Sequence, residues 1–123
     1  MLKLLLDEHI SPSVAVGLHR RMESFPVCAL LEWEGGSLMG QDDATCLIQA
    51  AKLGWTRLTY DRRTIPPLLK NWAEYGRSHG GVIFVDEKTV PPSDIDGLVH
   101  AIEALATQSA QLDWTGRICF MRR

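Results

Sequence analysis

The chain alternates between short apolar runs and longer amphipathic stretches. Apolar or β-branched runs predict strands at 2–7, 27–33, 56–61, 80–87 and 117–121, whereas helical periodicity predicts helices at 11–22, 42–54, 65–76 and 91–108. Strands that alternate with helices are typical of βαβ units and a mostly parallel sheet. We therefore expect the α/β class, as a three-layer α/β/α sandwich around a sheet of four to five strands.

Residues at the predicted helix ends support these boundaries. Ser11 suits an N-cap and Pro12 the first helical position of the first helix, while Gly54 suits the end of the second. In the last helix Ser93 is the expected cap, and Asp94 lies where its charge complements the helix dipole. Each predicted helix thus has a local reason to start or stop.

Several predicted strands end in acid. Asp7 and Glu8 follow the first strand, Asp61 follows the third, and Asp86 with Glu87 follow the fourth. Ligands of open parallel sheets bind beyond the carboxyl ends of the strands, so these side chains lie along the functional edge. Asp43, near the start of the second helix, opens onto the same edge. The set with candidate catalytic roles is Asp7, Glu8, Asp43 and Asp61.

Gathering carboxylates is costly unless one is protonated, they move apart, or a cation binds. Two carboxylates about 4 Å apart repel by about 4 kcal/mol at an effective dielectric constant of about 20. Oxygen ligands select hard cations, so Mg²⁺ or Mn²⁺ is the expected metal, held by Asp7, Asp43 and Asp61. Such a site supports metal-assisted phosphodiester hydrolysis.

A capping interpretation stands beside the metal site. Asp7 or Glu8 can cap the helix at 11–22, and Asp42 or Asp43 can cap the helix at 42–54. For the acids after the fourth strand, plain solvated charge is the preferred interpretation.

Three basic side chains are candidates for substrate binding. Arg62 and Arg63 directly follow Asp61, and His9 directly follows the acidic pair, so each can meet a phosphate beside a metal. The alternative is an ordinary solvated loop for the arginines and a solvated surface position for the histidine.

Composition narrows the function classes. The 123 residues carry a net charge of −2, which argues against binding nucleic acid by charge alone. We expect one domain over residues 1–123, in the cytoplasm and without a membrane span, because no apolar stretch is long enough. The three cysteines have wide spacings and apolar neighbours, as expected of buried thiols in a reducing compartment.

Four motifs in order resemble those of the PIN-like family, relatives of the PIN-domain ribonucleases. They are LLLDEHISPSV, GQDDATCLIQAA, LTYDRRTIPPLL and GGVIFV, followed by a helix and the DWTGRICFM tail. The resemblance implies an α/β/α sandwich with an acidic site that holds Mg²⁺ or Mn²⁺ and cuts RNA. It matches Asp7, with Glu8 beside it, to the first-strand acid, Asp43 to the acid opening the middle helix, and Asp61 to the acid after the third strand.

One position departs from the PIN-like pattern. Many PIN-like chains carry an acid two residues beyond the Asp61 position, where this chain has Arg63. Two functions follow as expectations: a metal-dependent ribonuclease, as in toxins that an antitoxin protein neutralises, or an inactive PIN-like module that binds RNA or a protein partner. The sequence leaves dimerisation open.

Overall fold

The computed structural model describes residues 2–37 and 40–122, without the side chains of Leu31, Glu34 and Asp43. Five strands alternate with four α-helices and one 3₁₀-helix. The strands are β1 (Leu4–Leu6), β2 (Val27–Ala29), β3 (Thr56–Thr59), β4 (Val82–Val85) and β5 (Ile118–Met121). The helices are α1 (Ser13–Arg21), α2 (Asp43–Leu53), α3 (Ile65–Glu74) and α4 (Ile95–Gln108), and the 3₁₀-helix is Leu30–Gly35.

The strands form one sheet in the order β2-β1-β3-β4-β5, and every neighbouring pair is parallel. The chain moves from β1 to one side for β2, then crosses back over β1 to β3. The loops after β1 and β3 therefore lead in opposite directions from the boundary between these two strands. Ligands of open α/β sheets bind at such a position. The predicted α/β class and mostly parallel sheet of four to five strands are confirmed; the described sheet has five strands, all parallel.

Helices cover both faces of the sheet. Helices α1 and α4 share one face, where Leu18 and Leu98 join the cluster that contains Leu4 and Leu6 of β1. Helices α2 and α3 lie on the other face, where Leu47 and Leu69 pack against strand β4. This arrangement gives the three layers of an α/β/α sandwich.

The connection through α4 has the opposite hand to the connection through α1. Both helices lie on one face, yet the chain moves in opposite directions along the sheet from β1 to β2 and from β4 to β5. Parallel crossovers share one hand in about 98% of cases, so this connection is unusual. Its consequence is that none of the described helices lies above the opposite face of β5.

Helices α1 and α4 touch at a glycine. A Cβ atom added at Gly17 would lie 2.8 Å from Cγ2 of Val99, closer than real side chains come. Gly17 therefore allows the two helices to approach, and a larger residue there would push them apart.

Some element boundaries differ from the sequence prediction. The second strand ends at Ala29 instead of residue 33, because the chain turns into the 3₁₀-helix. The last helix begins at Ile95, and its cap is Asp94, which accepts a hydrogen bond from the Gly97 amide; the expected cap Ser93 is wrong. Helix α1 begins at Ser13 with Pro12 at the N-cap position, so Ser11 lies one residue before the cap, where its hydroxyl accepts a hydrogen bond from the Ser13 amide at 3.2 Å.

The described helices contain none that is both long and apolar enough to cross a membrane.

Candidate functional site

Asp7 is a buried carboxylate at the carboxyl end of the central strand β1, with 4% of its surface exposed. Its Oδ1 atom accepts hydrogen bonds from the Arg57 guanidinium at 3.0 Å and from the Glu8 amide at 2.8 Å. Its Oδ2 atom accepts a short hydrogen bond from the Thr59 hydroxyl. Three donors therefore fix the orientation of this carboxylate.

The period of strand β3 explains why these donors are there. Successive side chains alternate between the two faces of a strand, so Arg57 and Thr59 share one face while Leu58 enters the core of the other. Strand β1 lies beside β3, and the Asp7 amide donates to the Leu58 carbonyl at 3.0 Å. The carboxylate that follows β1 is thus held next to the polar face of β3.

Asp7 and Arg57 form a buried ion pair. Arg57 is only 2% exposed, and its Nη2 atom lies 3.0 Å from Oδ1 of Asp7. Removing one partner of such a pair costs about 3–5 kcal/mol, because the other charge stays buried without compensation. The guanidinium therefore already supplies positive charge where the sequence predicted a metal.

Asp61 is a half-buried carboxylate after β3. Its Oδ1 atom accepts hydrogen bonds from the amides of Arg63 at 2.9 Å and Thr64 at 2.8 Å, which fixes the turn into α3. Partial burial acts to raise the pKa of Asp61, but these hydrogen bonds and the charge of Arg57 outweigh burial and lower it. Asp61 is therefore an anion over the whole neutral range.

Thr59 connects the two aspartates. Its hydroxyl donates to the Asp7 carboxylate and accepts a hydrogen bond from the Asp61 amide at 3.0 Å. The charge of Arg57 acts on Asp61 and binds Asp7 directly. Asp7 and the backbone amide of Asp61 are thus linked through one hydroxyl at the ends of the neighbouring strands β1 and β3.

The other predicted residues lie around this centre. Glu8 and His9 are exposed in the turn that follows Asp7, which the Ile10 amide closes by donating to the Asp7 carbonyl at 2.9 Å. The side chain of Asp43 lies outside the described part of the structure. Its backbone begins α2, and Asp42 caps that helix by accepting from the Thr45 amide at 2.8 Å, which confirms the capping interpretation for Asp42.

Arg62 and Arg63 are exposed at the mouth of a cleft of about 250 Å³ between the ends of β3 and β4. Asp61 and Asp86 line the same cleft, together with Lys88. Arg62 also lies over the ring of Phe120, with its central carbon 5.6 Å from the ring centroid. A phosphate that entered the cleft would meet cations beside the acids.

Asp86 repeats the local geometry of Asp61 one strand further along the sheet. It is half-buried, follows β4, and accepts a hydrogen bond from the Lys88 amide at 3.1 Å. Its described contacts include no bond to Arg57 or Thr59. Asp86 is therefore a natural comparison for Asp61.

The fit of a divalent cation depends on few ligands. Among the described side chains, no group of three or more histidines, cysteines, aspartates or glutamates is placed to hold a metal ion. Mg²⁺ is commonly held by only one or two carboxylates, with water and substrate phosphate completing its shell. Asp61 and Asp7 provide these one or two carboxylates. The positive charge of Arg57 opposes the binding of a cation there.

The sequence prediction missed Arg57 and Thr59. Both are polar residues at alternate positions of a strand that helices cover on both faces. An arginine in that position requires a buried acid, and Asp7 follows the adjacent strand. The alternation of TRLT is the sequence signal, but it becomes specific only when β1 is known to neighbour β3.

Comparison with protein-family models, curated proteins and solved structures finds no match to this chain.

Proposed function

We propose that the protein is a PIN-like ribonuclease that depends on Mg²⁺ or Mn²⁺. The observation that supports it is the connection of Asp7 to Asp61 through Thr59, at the carboxyl ends of two adjacent central strands. This is the edge where parallel α/β sheets bind ligands, and two fixed carboxylates there suit a hard cation.

Each residue has a role that follows from its position. Asp61 and Asp7 would hold the cation, with Asp43 contributing from the start of α2. A bound divalent cation would polarise the phosphate and lower the pKa of a water molecule. The exposed Glu8 would orient that water, while Arg62, Arg63 and His9 would bind the RNA phosphates.

Arg57 tunes this site. Its guanidinium neutralises Asp7, so less net negative charge remains to attract a cation. At the same time, Arg57 and Thr59 fix the Asp7 carboxylate in one orientation. Because this side chain is already ordered, it loses less conformational entropy when a cation binds. The proposal therefore implies weak metal binding that RNA phosphate strengthens by completing the shell.

Hydrolysis of a labelled mixed-sequence single-stranded RNA in Mn²⁺ tests the proposal. Asp61→Asn keeps the amide-accepting oxygen but removes the charge, so cleavage should fall by about 100-fold while the fold is retained. The matched control is Asp86→Asn, which should keep at least half of the rate. RNA cleavage that survives EDTA, or equal rates in both variants, would contradict the proposal.

A second function is favoured by two observations. The buried Asp7–Arg57 pair needs no metal for its charge balance, and Arg63 stands where many PIN-like chains have an acid. These two features support a PIN-like module that binds RNA or a protein without hydrolysis. RNA retention in EDTA, with no cleavage by wild type in Mn²⁺, would favour this function over the ribonuclease.

A further inference from the structure

The outer strand β5 exposes two large apolar side chains on one face. Ile118 is 51% exposed and Phe120 is 56% exposed, whereas Cys119 and Met121 of the same strand pack into the core beneath α4. Because α4 lies on that other face, no described helix covers Ile118 and Phe120. Exposed apolar side chains that adjoin on one strand mark an interaction surface more often than isolated ones do.

A groove runs between this face of β5 and helix α3. Leu69, Ala73 and Phe84 contribute its apolar lining, and its volume is about 420 Å³. The Phe120 ring stacks on Phe84 with a centroid distance of 5.5 Å, which holds one wall of the groove in place. The groove therefore exists without a partner and needs little rearrangement to bind one.

The backbone of β5 is open along its outer edge. The amide of Val82 in β4 donates to the Arg117 carbonyl at 2.9 Å, and the amide of Asp86, which follows β4, donates to the Met121 carbonyl at 3.0 Å. Backbone groups alternate in direction along a strand, so those of Ile118 and Phe120 point away from β4. The sheet order ends at β5 within the described residues, and two amides and two carbonyls thus face outward beside the groove.

The charge around this edge is positive. Among the described residues, the charged ones that line the groove are Lys70 and Arg77. Arg62 lies over Phe120, and exposed arginines at 117 and 122 flank the strand, of which Arg117 also lies near Asp113. Antiparallel pairing of two copies through β5 would bring arginines of one copy close to those of the other, which is unfavourable. The charge complementarity therefore favours an acidic partner over a second copy.

We propose that the edge of β5 and its groove bind an extended acidic segment of another protein by strand addition. The backbone of that segment pairs with Ile118 and Phe120, its alternate apolar side chains enter the groove, and its carboxylates meet the basic rim. An RNA strand lacks the alternating amide donors and carbonyl acceptors that this edge would satisfy. The inference does not depend on the proposed ribonuclease activity.

The test is an NMR titration of the full ¹⁵N-labelled chain with the blocked heptapeptide EVEVEVE. Saturating peptide should slow hydrogen exchange at the Ile118 and Phe120 amides by about tenfold, because these outward amides become hydrogen-bonded. The peptide KVKVKVK, of equal apolar content and opposite charge, should leave both amides unchanged. Absence of slowing at millimolar EVEVEVE, or equal slowing by both peptides, would overturn the proposal.

Variants distinguish binding of the peptide in the groove from nonspecific binding elsewhere on the surface. Phe120→Ala should weaken EVEVEVE binding by about tenfold, and Lys70→Glu should weaken it without removing any apolar surface. The matched control is Val16→Ala on α1, which removes a side chain of similar exposure, 52%, far from the groove. Unchanged affinity in both groove variants would overturn the proposal.

Two further outcomes would assign the edge to another occupant and also overturn the proposal. One is slowing of the same amides by an oligouridylate at equal concentration, which would make β5 an RNA surface. The other is slowing that depends on protein concentration without peptide, which would make β5 a contact between two copies.

Discussion

Asp7 and Asp61 both follow neighbouring parallel strands at one edge of the sheet, yet their surroundings differ. Asp7 is buried, paired with Arg57 and bound by three donors. Asp61 is half-buried, accepts two backbone amides and lines an open cleft. The Asp7 carboxylate is therefore held mainly by internal contacts, whereas the Asp61 carboxylate can meet a ligand directly.

This difference shows that an acid at the end of a strand can have either of two roles, one in stability and one in ligand binding. Because Asp7 is buried, its charge depends on the guanidinium of Arg57. We therefore expect a substitution of Asp7 to reduce the stability of the fold before it affects any activity. Partial exposure lets Asp61 combine a capping role with ligand binding, so its charge can be removed while its hydrogen bonds are kept. Any functional test on Asp7 alone would confuse activity with folding.

The largest expected effect is that of Asp7→Asn. This change removes the carboxylate charge that pairs with the buried Arg57 guanidinium, so the free energy of unfolding should fall by about 3–5 kcal/mol. Urea denaturation followed by circular dichroism measures the loss. The double variant Asp7→Leu/Arg57→Met, which removes both charges, should lose less than Asp7→Asn; a larger loss would show that the ion pair is not what stabilises this region.

The next largest loss of stability is expected for Thr59→Val. The substitution keeps the branched shape but removes the hydroxyl between Asp7 and Asp61, leaving a buried carboxylate oxygen with one donor fewer. We expect a loss of about 1–3 kcal/mol in urea denaturation. Thr59→Ser, which keeps the hydroxyl, should recover most of that loss, and equal losses in both variants would contradict the bridging role.

Asp61→Ala should destabilise by about 1 kcal/mol, because the amides of Arg63 and Thr64 lose their acceptor. Asp61→Asn, which keeps an acceptor oxygen, should stay within about 0.5 kcal/mol of wild type in the same denaturation experiment. A loss for Asp61→Asn as large as that expected for Asp7→Asn would mean that the two acids are not distinct in the way the contacts indicate.

The smallest effect is the pH dependence that Asp61 contributes. Burial opposes ionisation of Asp61, but the Thr64 and Arg63 amides and the Arg57 charge lower its pKa in the folded protein. Its contribution to stability is therefore present above the unfolded pKa of about 3.9 and is lost as the pH falls through the folded pKa. The stability difference between wild type and Asp61→Asn should narrow as the pH decreases in acid urea titrations, and a widening would contradict this sign.

Much of the fold followed from local pattern, because βαβ alternation restricts the topology strongly. The TRLT and VIFV strands lie within their predicted ranges, and Asp7 and Asp61 follow adjacent strands at one edge of the sheet. The 3₁₀-helix after Ala29 was not predicted, since LLEW is apolar enough to extend a strand. Local periodicity cannot separate these two outcomes.

The candidate site was less predictable than the fold. Pairing Asp7 with Arg57 requires knowing that residues 50 positions apart lie on adjacent strands, which only the tertiary arrangement provides. The open face of β5 likewise follows from the side on which α4 crosses the sheet, and no pattern within α4 specifies that side. Long-range contacts thus decide which polar residues can act.

The most direct test of the metal-site proposal is a calorimetric titration of Mn²⁺ into wild type, Asp61→Asn and Asp86→Asn. The proposal predicts that wild type binds with a Kd below about 1 mM, that Asp61→Asn weakens binding at least about tenfold, and that Asp86→Asn changes it by less than about twofold. Absence of binding by wild type, or equal weakening in both variants, would contradict it and leave the Asp7–Arg57 pair as a purely structural element.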